Sequence, residues 1–477
     1  MEYEPVIGLE VHLHLKTRTK AFCGCSTEFG GQPNSQVCPV CLGFPGTLPV
    51  LNKVALEYAI KAGLALNCTV NKFTKFDRKN YFYPDLPKDY QISQYDFPVS
   101  SNGFLEIDID GKTKRIGITR AHLEEDAGKL IHKDDASLVD FNRTGIALLE
   151  IVSMPEINSP QEAYEYLTGL KSVLKYLGVS DCDMEKGSLR CDANVSIRPK
   201  GETALGVKTE LKNMNSFKAV RDALGYEIER QTKCLEAGEK IIQETRLWDE
   251  KQGCSVVMRT KEGAQDYRYF PEPDLTTFII DESLIEKIRK SIPELPREKC
   301  QRFISEYGLS AYDAKLLVLI KEDADFAESC MRSYANNDKK LIVNWLNGAL
   351  LSEANTRNCQ VCQLKVKPED LAGLVSFVER QEISNLSAKT VLTEMIETKK
   401  SPAEIIKEKN LSQISDTGAL DGFIEEVIKE NEKSVLDFKS GKENALMFLV
   451  GQVMKKSKGK ANPKTAQELI KRRLENA

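Results

Sequence analysis

Four cysteines, Cys23, Cys25, Cys38 and Cys41, are spaced C-x-C-x12-C-x-x-C. Two close pairs separated by a short loop can set four thiolates around a tetrahedral Zn²⁺. The intervening GQPNSQV has too little apolar content to order itself, so a metal would have to order it. The bland alternative is four free thiols in a turn-rich loop. Both spacings fit zinc at once, which favours a closed, structural site. Cys359 and Cys362 have no second pair nearby and are expected at i, i+3 on a helix surface.

A second group offers oxygen and imidazole. Glu10 and His12 share one face of a strand-like segment, and Glu150 lies inside the apolar run Ile146–Val152. Glu124, Glu125 and Asp126 add carboxylates in AHLEEDAGKL. A carboxylate in the middle of an apolar strand is costly to bury alone and needs a cation, a base or a hydrogen-bonding partner. Several carboxylates with a histidine suit a divalent ion, Mg²⁺ if phosphate chemistry is present. Salt bridges to Arg120 and Arg143 would satisfy the same groups, and spacing alone leaves both alternatives open. No Walker A, no G-x-G-x-x-G after a strand and no kinase signature occurs, so any ATP site is of another design.

Strands must carry these residues. Gly8–His14 alternates with Glu10, His12 and His14 on its polar face, and Leu189–Arg198 alternates with Arg190, Asp192, Asn194, Ser196 and Arg198 on its own. Lys208–Lys212 continues in that style. Period-two alternation marks strands with one apolar and one wet face, and wet faces bearing such groups can line a cavity. A long amphipathic helix is expected over Phe217–Ala237, with Ser216 as N-cap and Gly238 as its stop. Pro293 and Pro296 mark a linker. Beyond it the pattern turns helical, as in DAKLLVLIKEDADFAESCM, with a second break near Lys399–Pro402. The last helix opens on Asn462 as N-cap and Pro463 at its first position, with Ala466, Leu469, Ile470 and Leu474 on one face. The expected fold is α+β, a mixed-sheet domain large enough for catalysis over residues 1–292, an all-α domain over 293–400 and a small helical tail over 401–477.

At 477 residues the chain exceeds one ordinary domain, and 41% apolar with 29% charged residues suits a large core without staples. No apolar run reaches the roughly 20 residues of a membrane span. MEYEPVIGLEVHLHL lacks a basic n-region and an Arg-rich transit pattern, which predicts a cytoplasmic, unprocessed protein. Four of thirteen cysteines cluster, pointing to a metal site plus buried thiols rather than disulfides. Net charge is −4, yet Gly451–Ala477 holds eight Lys/Arg against two Glu. Such blocks are usually solvated faces; confined to a terminal helix and its approach, this one is a candidate nucleic-acid footprint through Lys455, Lys456, Lys458, Lys460, Lys471, Arg472 and Arg473.

The segments EPVIGLEVHLHLKTRTKAFCGC, VCPVCLGFPGTLPVLN, FDRKNYFYPDLPKDYQISQYD, TRAHLEEDAGKLIH, DFNRTGIALLEIVSMPEI, SLRCDANVSIRP, KTELKNMNSFKAV, QETRLWDE and DYRYFPEPDL occur in order. Together they resemble the B subunit of the bacterial-type heterotrimeric Asp/Glu-tRNA amidotransferase, over essentially the whole chain. The resemblance implies a cradle-shaped catalytic domain, a helical domain and a tail that grips misacylated tRNA. It implies that ATP converts the carboxylate of Glu-tRNA(Gln) or Asp-tRNA(Asn) to an acyl phosphate, which ammonia turns into the amide. An amidase, the A subunit of the trimer, would release that ammonia from glutamine, and the small C subunit would clasp both. By the same resemblance His12, Glu125 and Glu150 hold the catalytic Mg²⁺ with Glu10 at the same cluster, and Lys79, Lys88 and Asp192 line the ammonia route. The chain departs from the family pattern at Ala147 (usually Pro), Met154 (usually Glu) and Asp89 (usually Gly), none of them an implied ligand. The competing expectation is a non-catalytic, zinc-containing tRNA-binding or scaffold subunit. That would leave Glu10, His12, Glu125 and Glu150 as unexplained buried polarity.

Overall fold

The computed structural model describes residues 2–260, 267–411, 417–440, 442, 444–457 and 461–475. The chain divides into two compact units, Met1–Leu295 and Pro296–Ala477. The first is built on a nine-stranded sheet of β1 (Tyr3–His14), β2 (Thr69–Val70), β3 (Ser100–Ile109), β4 (Lys112–Glu125), β5 (Ala147–Ser153), β6 (Leu189–Pro199), β7 (Thr209–Lys212), β8 (Glu244–Asp249) and β9 (Cys254–Thr260). Their order in space is β9-β8-β7-β6-β1-β5-β4-β3-β2, and only the β7–β8 pair is parallel.

The alternation of β1 sorts its side chains as expected. Ile7, Leu9, Val11 and Leu13 are fully buried, while Glu10, His12 and His14 on the opposite face stay half-buried. Helices Lys53–Ala65, Pro160–Tyr176 and Phe217–Glu236 share the apolar core with β1. Each helix starts on a side-chain cap that satisfies an otherwise orphaned backbone donor. Asn52 accepts from the Val54 N–H at 2.9 Å, Ser159 from Glu162 at 3.1 Å and Ser216 from Ala219 at 3.0 Å. Past the third helix, Gly238 takes φ +77° and ends it.

Two features fix β4. Asp110 and Gly111, at φ +49° and +76°, form a two-residue hairpin turn between β3 and β4. Pairing then runs in register from Ile109 opposite Lys112 to Ser100 opposite Ala121. A small sheet, ordered Phe270–Pro271, Asp77–Asn80, Tyr90–Ser93, packs through its last strand on β4. Asp89, just before that strand, sits at φ +62°, a left-handed conformation that explains why glycine suits the position.

The second unit is helical. Phe303, Trp345 and Leu374 belong to a core assembled from the helices between Pro296–Tyr307 and Pro402–Glu408. The latter helix lies beyond the expected break near Lys399–Pro402, yet it buries Ile405 and Ile406 in this core. DAKLLVLIKEDADFAESCM forms two helices, Ala311–Leu317 and Lys321–Ser333, rather than one. Val318 and Ile320, β-branched and poorly suited to a helix interior, flank the break. Cys359 and Cys362 do not share a helix surface. The helix Leu351–Thr356 stops before Asn358, which takes φ +51°, and Cys362 lies on the 3-10 turn Val361–Leu364. A separate small core joins Leu420, Ile424, Leu449 and Val453 to Ala466, Ile470 and Leu474 of the final helix Pro463–Glu475. Asn462 caps that helix and donates to Gln381 Oε1 at 2.7 Å. Among the described residues no helix is long and apolar enough to cross a membrane.

Glu328 is a buried charge of the helical unit, accepting from Arg302 at 2.8 and 2.9 Å and from Arg332 at 2.5 Å. Burial pushes its carboxyl up, but Arg302, Arg332 and Lys299 outweigh that and hold it below the usual range. A depressed carboxylate contributes stability above its unfolded pKa and loses it as pH falls through the folded value. Glu328→Gln should therefore cost about 2 kcal/mol near pH 7, with the gap to wild type closing below about pH 4. Hydrogen exchange of helix Lys321–Ser333 in the full chain reads this, and a cost that does not change with pH would remove the assignment.

Candidate active site and metal centres

On the wet face of the main sheet Arg190 stands opposite His12, His12 opposite Glu150, and Glu150 opposite His122, across β6, β1, β5 and β4. His12 Nε2 lies 3.4 Å from Glu150 Oε2 and 3.8 Å from Glu124 Oε1. His122 Nε2 lies 3.3 Å from Glu150 Oε2 and 3.9 Å from Glu124 Oε2. One ligand atom each from His12, Glu124 and Glu150 falls within 4.8 Å of the others. Burial opposes charge on both partners, yet the pairing wins: His12 is raised to about 8 by Glu150 and Glu124, and Glu150 is held well below its usual range by His122 and His12. Two carboxylates and an imidazole at this separation form a donor set for a divalent cation. Salt bridging accounts for a different acid. Asp126 takes His14 and Arg190 at 2.5 Å and Arg143 at 3.2 Å, whereas Arg120 has no carboxylate partner among the described residues.

The structure corrects one expected ligand. Glu125 is not in the cluster; Glu124 is. Adjacent residues on a strand project to opposite faces, so the two glutamates of HLEED cannot serve one site. Glu125 pairs with Lys88 and accepts the Ile92 N–H at 2.9 Å. It lines a cavity of about 220 Å³ together with Lys88, Phe22, Cys41 and Tyr90. Glu10, one register step from His12, accepts from Asn194 Nδ2 at 2.9 Å and stays outside the ligand group. Asp192 faces Glu10 and pairs with Lys212. Lys79 lies over the Tyr267 ring at 5.0 Å, and although burial opposes it, the charges of Glu124 and Glu150 hold its ammonium above the usual lysine range. Lys79 and Asp192 thus neighbour the cluster, and Lys88 lies with Glu125 instead. His122 went unremarked in the sequence, although its i, i+2 spacing to Glu124 in RAHLEE places both on one strand face. Its Nδ1 is buried without a partner.

The sulfurs of Cys23, Cys25, Cys38 and Cys41 also lie within 4.8 Å of one another, and Cys38 Sγ is 3.9 Å from Cys41 Sγ. A tetrahedral zinc with bonds near 2.3 Å requires sulfurs roughly 3.8 Å apart, so the set fits that ion. Cys41 is lowered to about 4 by the thiol of Cys23, with Lys20 adding to it, while burial pushes Cys25 up to about 11. Lys20 is fully buried and donates to Cys41 Sγ at 3.6 Å and to Phe141 O at 3.3 Å. The loop is braced by Asn34, donating to Val139 O at 3.0 Å, and by Asn142, donating to Gln32 O at 2.6 Å.

In the tail, Lys455, Lys471 and Arg472 are exposed. Lys456 pairs with Glu426 at 2.8 Å and Glu430 at 2.7 Å, and Arg473 with Glu425 at 2.8 Å and Asp421 at 3.3 Å. Counting charges along residues 451–477 could not reveal these partners, which come from the helix Thr417–Glu430. Lys458 and Lys460 lie outside the described residues.

A broad mixed sheet with a carboxylate–imidazole cluster on its wet face, a tetra-cysteine loop and an appended helical unit define a chain with two candidate metal centres. Two family models match the chain. Residues 5–286 match the model of the GatB/GatE catalytic domain, and residues 325–474 match the GatB domain. The chain is 55% identical over 478 residues to the B subunit of an aspartyl/glutamyl-tRNA(Asn/Gln) amidotransferase of Carboxydothermus hydrogenoformans, covering 99% of each. It is 58% identical over 475 residues to the protein of that name in Caldanaerobacter subterraneus subsp. tengcongensis, covering 99% of this chain and all of the relative. The chain belongs to the family of aspartyl/glutamyl-tRNA(Asn/Gln) amidotransferase B subunits.

Proposed function

We propose that this chain is the subunit of a tRNA-dependent amidotransferase that activates and amidates the misacylated residue on Glu-tRNA(Gln) and Asp-tRNA(Asn). The observation that carries this is the cluster of His12, Glu124 and Glu150, with the Lys79 ammonium beside it. A carboxylate is a poor electrophile, so its oxygen first attacks the γ-phosphorus of ATP, releasing ADP and leaving an acyl phosphate. Ammonia then attacks the carbonyl carbon, phosphate leaves with the electron pair of the broken C–O bond, and the amide nitrogen loses a proton. A divalent ion held by His12, Glu124 and Glu150, with Mg²⁺ suited to the phosphates, supplies positive charge where anionic groups meet. Lys79 adds fixed positive charge next to those carboxylates. His122, with Nε2 3.3 Å from Glu150 Oε2, holds that carboxylate in place. The tetra-cysteine loop holds a structural Zn²⁺ and takes no part in bond making.

The family name supports an assembly of several polypeptides. Ammonia is released from glutamine by an amidase partner, and a second, smaller partner clasps the two. ATP turnover stimulated by Glu-tRNA(Gln) and by Asp-tRNA(Asn) in the purified trimer tests the proposal. A non-catalytic tRNA-binding or scaffold role predicts ATP turnover indifferent to His12, Glu124 and Glu150.

The tail is proposed to grip tRNA phosphates. Lys455 and Arg472 are exposed and lie outside the salt bridges that hold Lys456 and Arg473. Replacing both by alanine should weaken tRNA binding without altering tRNA-independent ATP turnover. The log–log salt dependence should fall by roughly one unit for each phosphate no longer neutralised. Unchanged slope and affinity would leave these side chains as solubilising charge.

A further inference from the structure

A groove of about 540 Å³ flanks the wet face, where Arg120 of β4 and Ser101 of β3 stand opposite each other. Three aromatic side chains that burial energetics would hide remain open to it: Tyr95 is 52% exposed, Phe97 40% and Phe73 41%. They are nonetheless held by ring contacts. Phe73 meets Phe97 edge-on at 5.0 Å, and Tyr95 stacks on Tyr269 at 4.3 Å with planes 14° apart. A ring locked on one side and open on the other is a platform for a further flat group. The groove's available cation is Arg120, which makes only a 3.4 Å bond to Tyr95 O, while its acid, Asp96, shares Lys75 (2.8 Å) with Asp77 (2.6 Å). The groove adjoins the candidate active site, because Arg120 and His122 share a face of β4 two residues apart, roughly 7 Å.

We infer that this groove receives the single-stranded 3′ end of the tRNA, its terminal adenine stacked against Tyr95 and Phe97 and a backbone phosphate on Arg120. Single-stranded RNA is bound in this way, by base stacking on aromatic rings with cations tracking the phosphates. The occupant is an RNA end rather than ATP because one unpaired arginine balances one phosphate and not a triphosphate. Lys72, the groove's other cation, is already 3.1 Å from Glu282. The aminoacyl ester hangs from the ribose of that same terminal adenosine, so stacking there presents its carboxylate toward His12, Glu124 and Glu150. The inference rests on the proposed function and adds which wall of the site holds the RNA.

Binding of two probes to the full-length chain tests it: a short single-stranded RNA ending in C-C-A, and ATP. Tyr95→Ala should weaken the RNA about tenfold or more and leave ATP within about twofold, while Tyr95→Phe keeps both. Arg120→Gln should weaken the RNA and lower its salt slope by about one unit. Unchanged RNA affinity in Tyr95→Ala, loss of ATP affinity alone, equal loss of both probes, or no measurable RNA binding by the intact chain would each overturn the inference. Its failure is distinct from that of the proposed function. A trimer that still forms the amide in an ATP-dependent way while Tyr95→Ala binds RNA normally rejects the groove alone.

Discussion

Glu150→Ala should abolish amide formation on Glu-tRNA(Gln) while the partner amidase keeps its glutaminase activity. The carboxylate is buried between His12 at 3.4 Å and His122 at 3.3 Å, and it pairs with no arginine or lysine among the described residues. Removing it leaves two imidazoles facing each other and takes one oxygen from a three-ligand donor set. Preorganised charge at a reacting phosphoryl group is worth at least about a hundredfold in rate, so turnover should fall by that factor or more even at saturating Mg²⁺. Glu124→Gln should behave alike. Glu125→Gln is the informative contrast: it should leave divalent-ion affinity at the cluster near wild type, because its carboxylate serves Lys88 on the other side of the strand. Near wild-type conversion by Glu150→Ala, or equal loss of ion affinity from Glu124→Gln and Glu125→Gln, would sink the assignment of the cluster.

Cys38→Ser or Cys41→Ser should release zinc outright. Three thiolates no longer close a tetrahedron, and the loop between the pairs has little apolar content of its own. Cys41 carries the larger consequence, since Lys20, fully buried, has its ammonium on that sulfur. Without the thiolate it is left with one carbonyl, a costly position for a buried charge. Metal analysis should give close to one zinc per chain in wild type and almost none in the variants. Faster hydrogen exchange should spread over residues 23–47, and over Phe141 only in Cys41→Ser. Wild-type protein free of zinc after growth in zinc-replete medium would refute the site.

Strands with one wet face were legible because alternation is a local property: β1 and β6 lie where Gly8–His14 and Leu189–Arg198 place them. The residue types that gather in the two clusters, four cysteines and a histidine with carboxylates, were legible along the chain. What failed was parity in β4. HLEED offers three consecutive acids, and only the pairing of β4 with β5 decides which of them faces His12. The acidic partners of Lys456 and Arg473 were hidden for a related reason: they come from a second helix, and no window along one segment contains that information. The break at Val318–Ile320 did have a local signal in its two β-branched residues.

The tight turn at Asp110–Gly111 has a reach out of proportion to its size. It is the counting point from which β4 is set in register against β3, and the side chains from Lys112 onward take their direction from it, re-set once by the irregularity opposite Val152–Ser153. One extra residue there, absorbed by a slip of the whole strand, would swing Glu124 away from His12 and bring Glu125 round, roughly 40 Å from the lesion. Surface hairpin tips ordinarily tolerate insertions well. This one should not: a one-residue insertion absorbed by a slip should silence amide formation and also lower stability, because it turns Ile116, Ile118, Ala121 and Leu123 out of the core, whereas a two-residue insertion should preserve the facing and be the milder change.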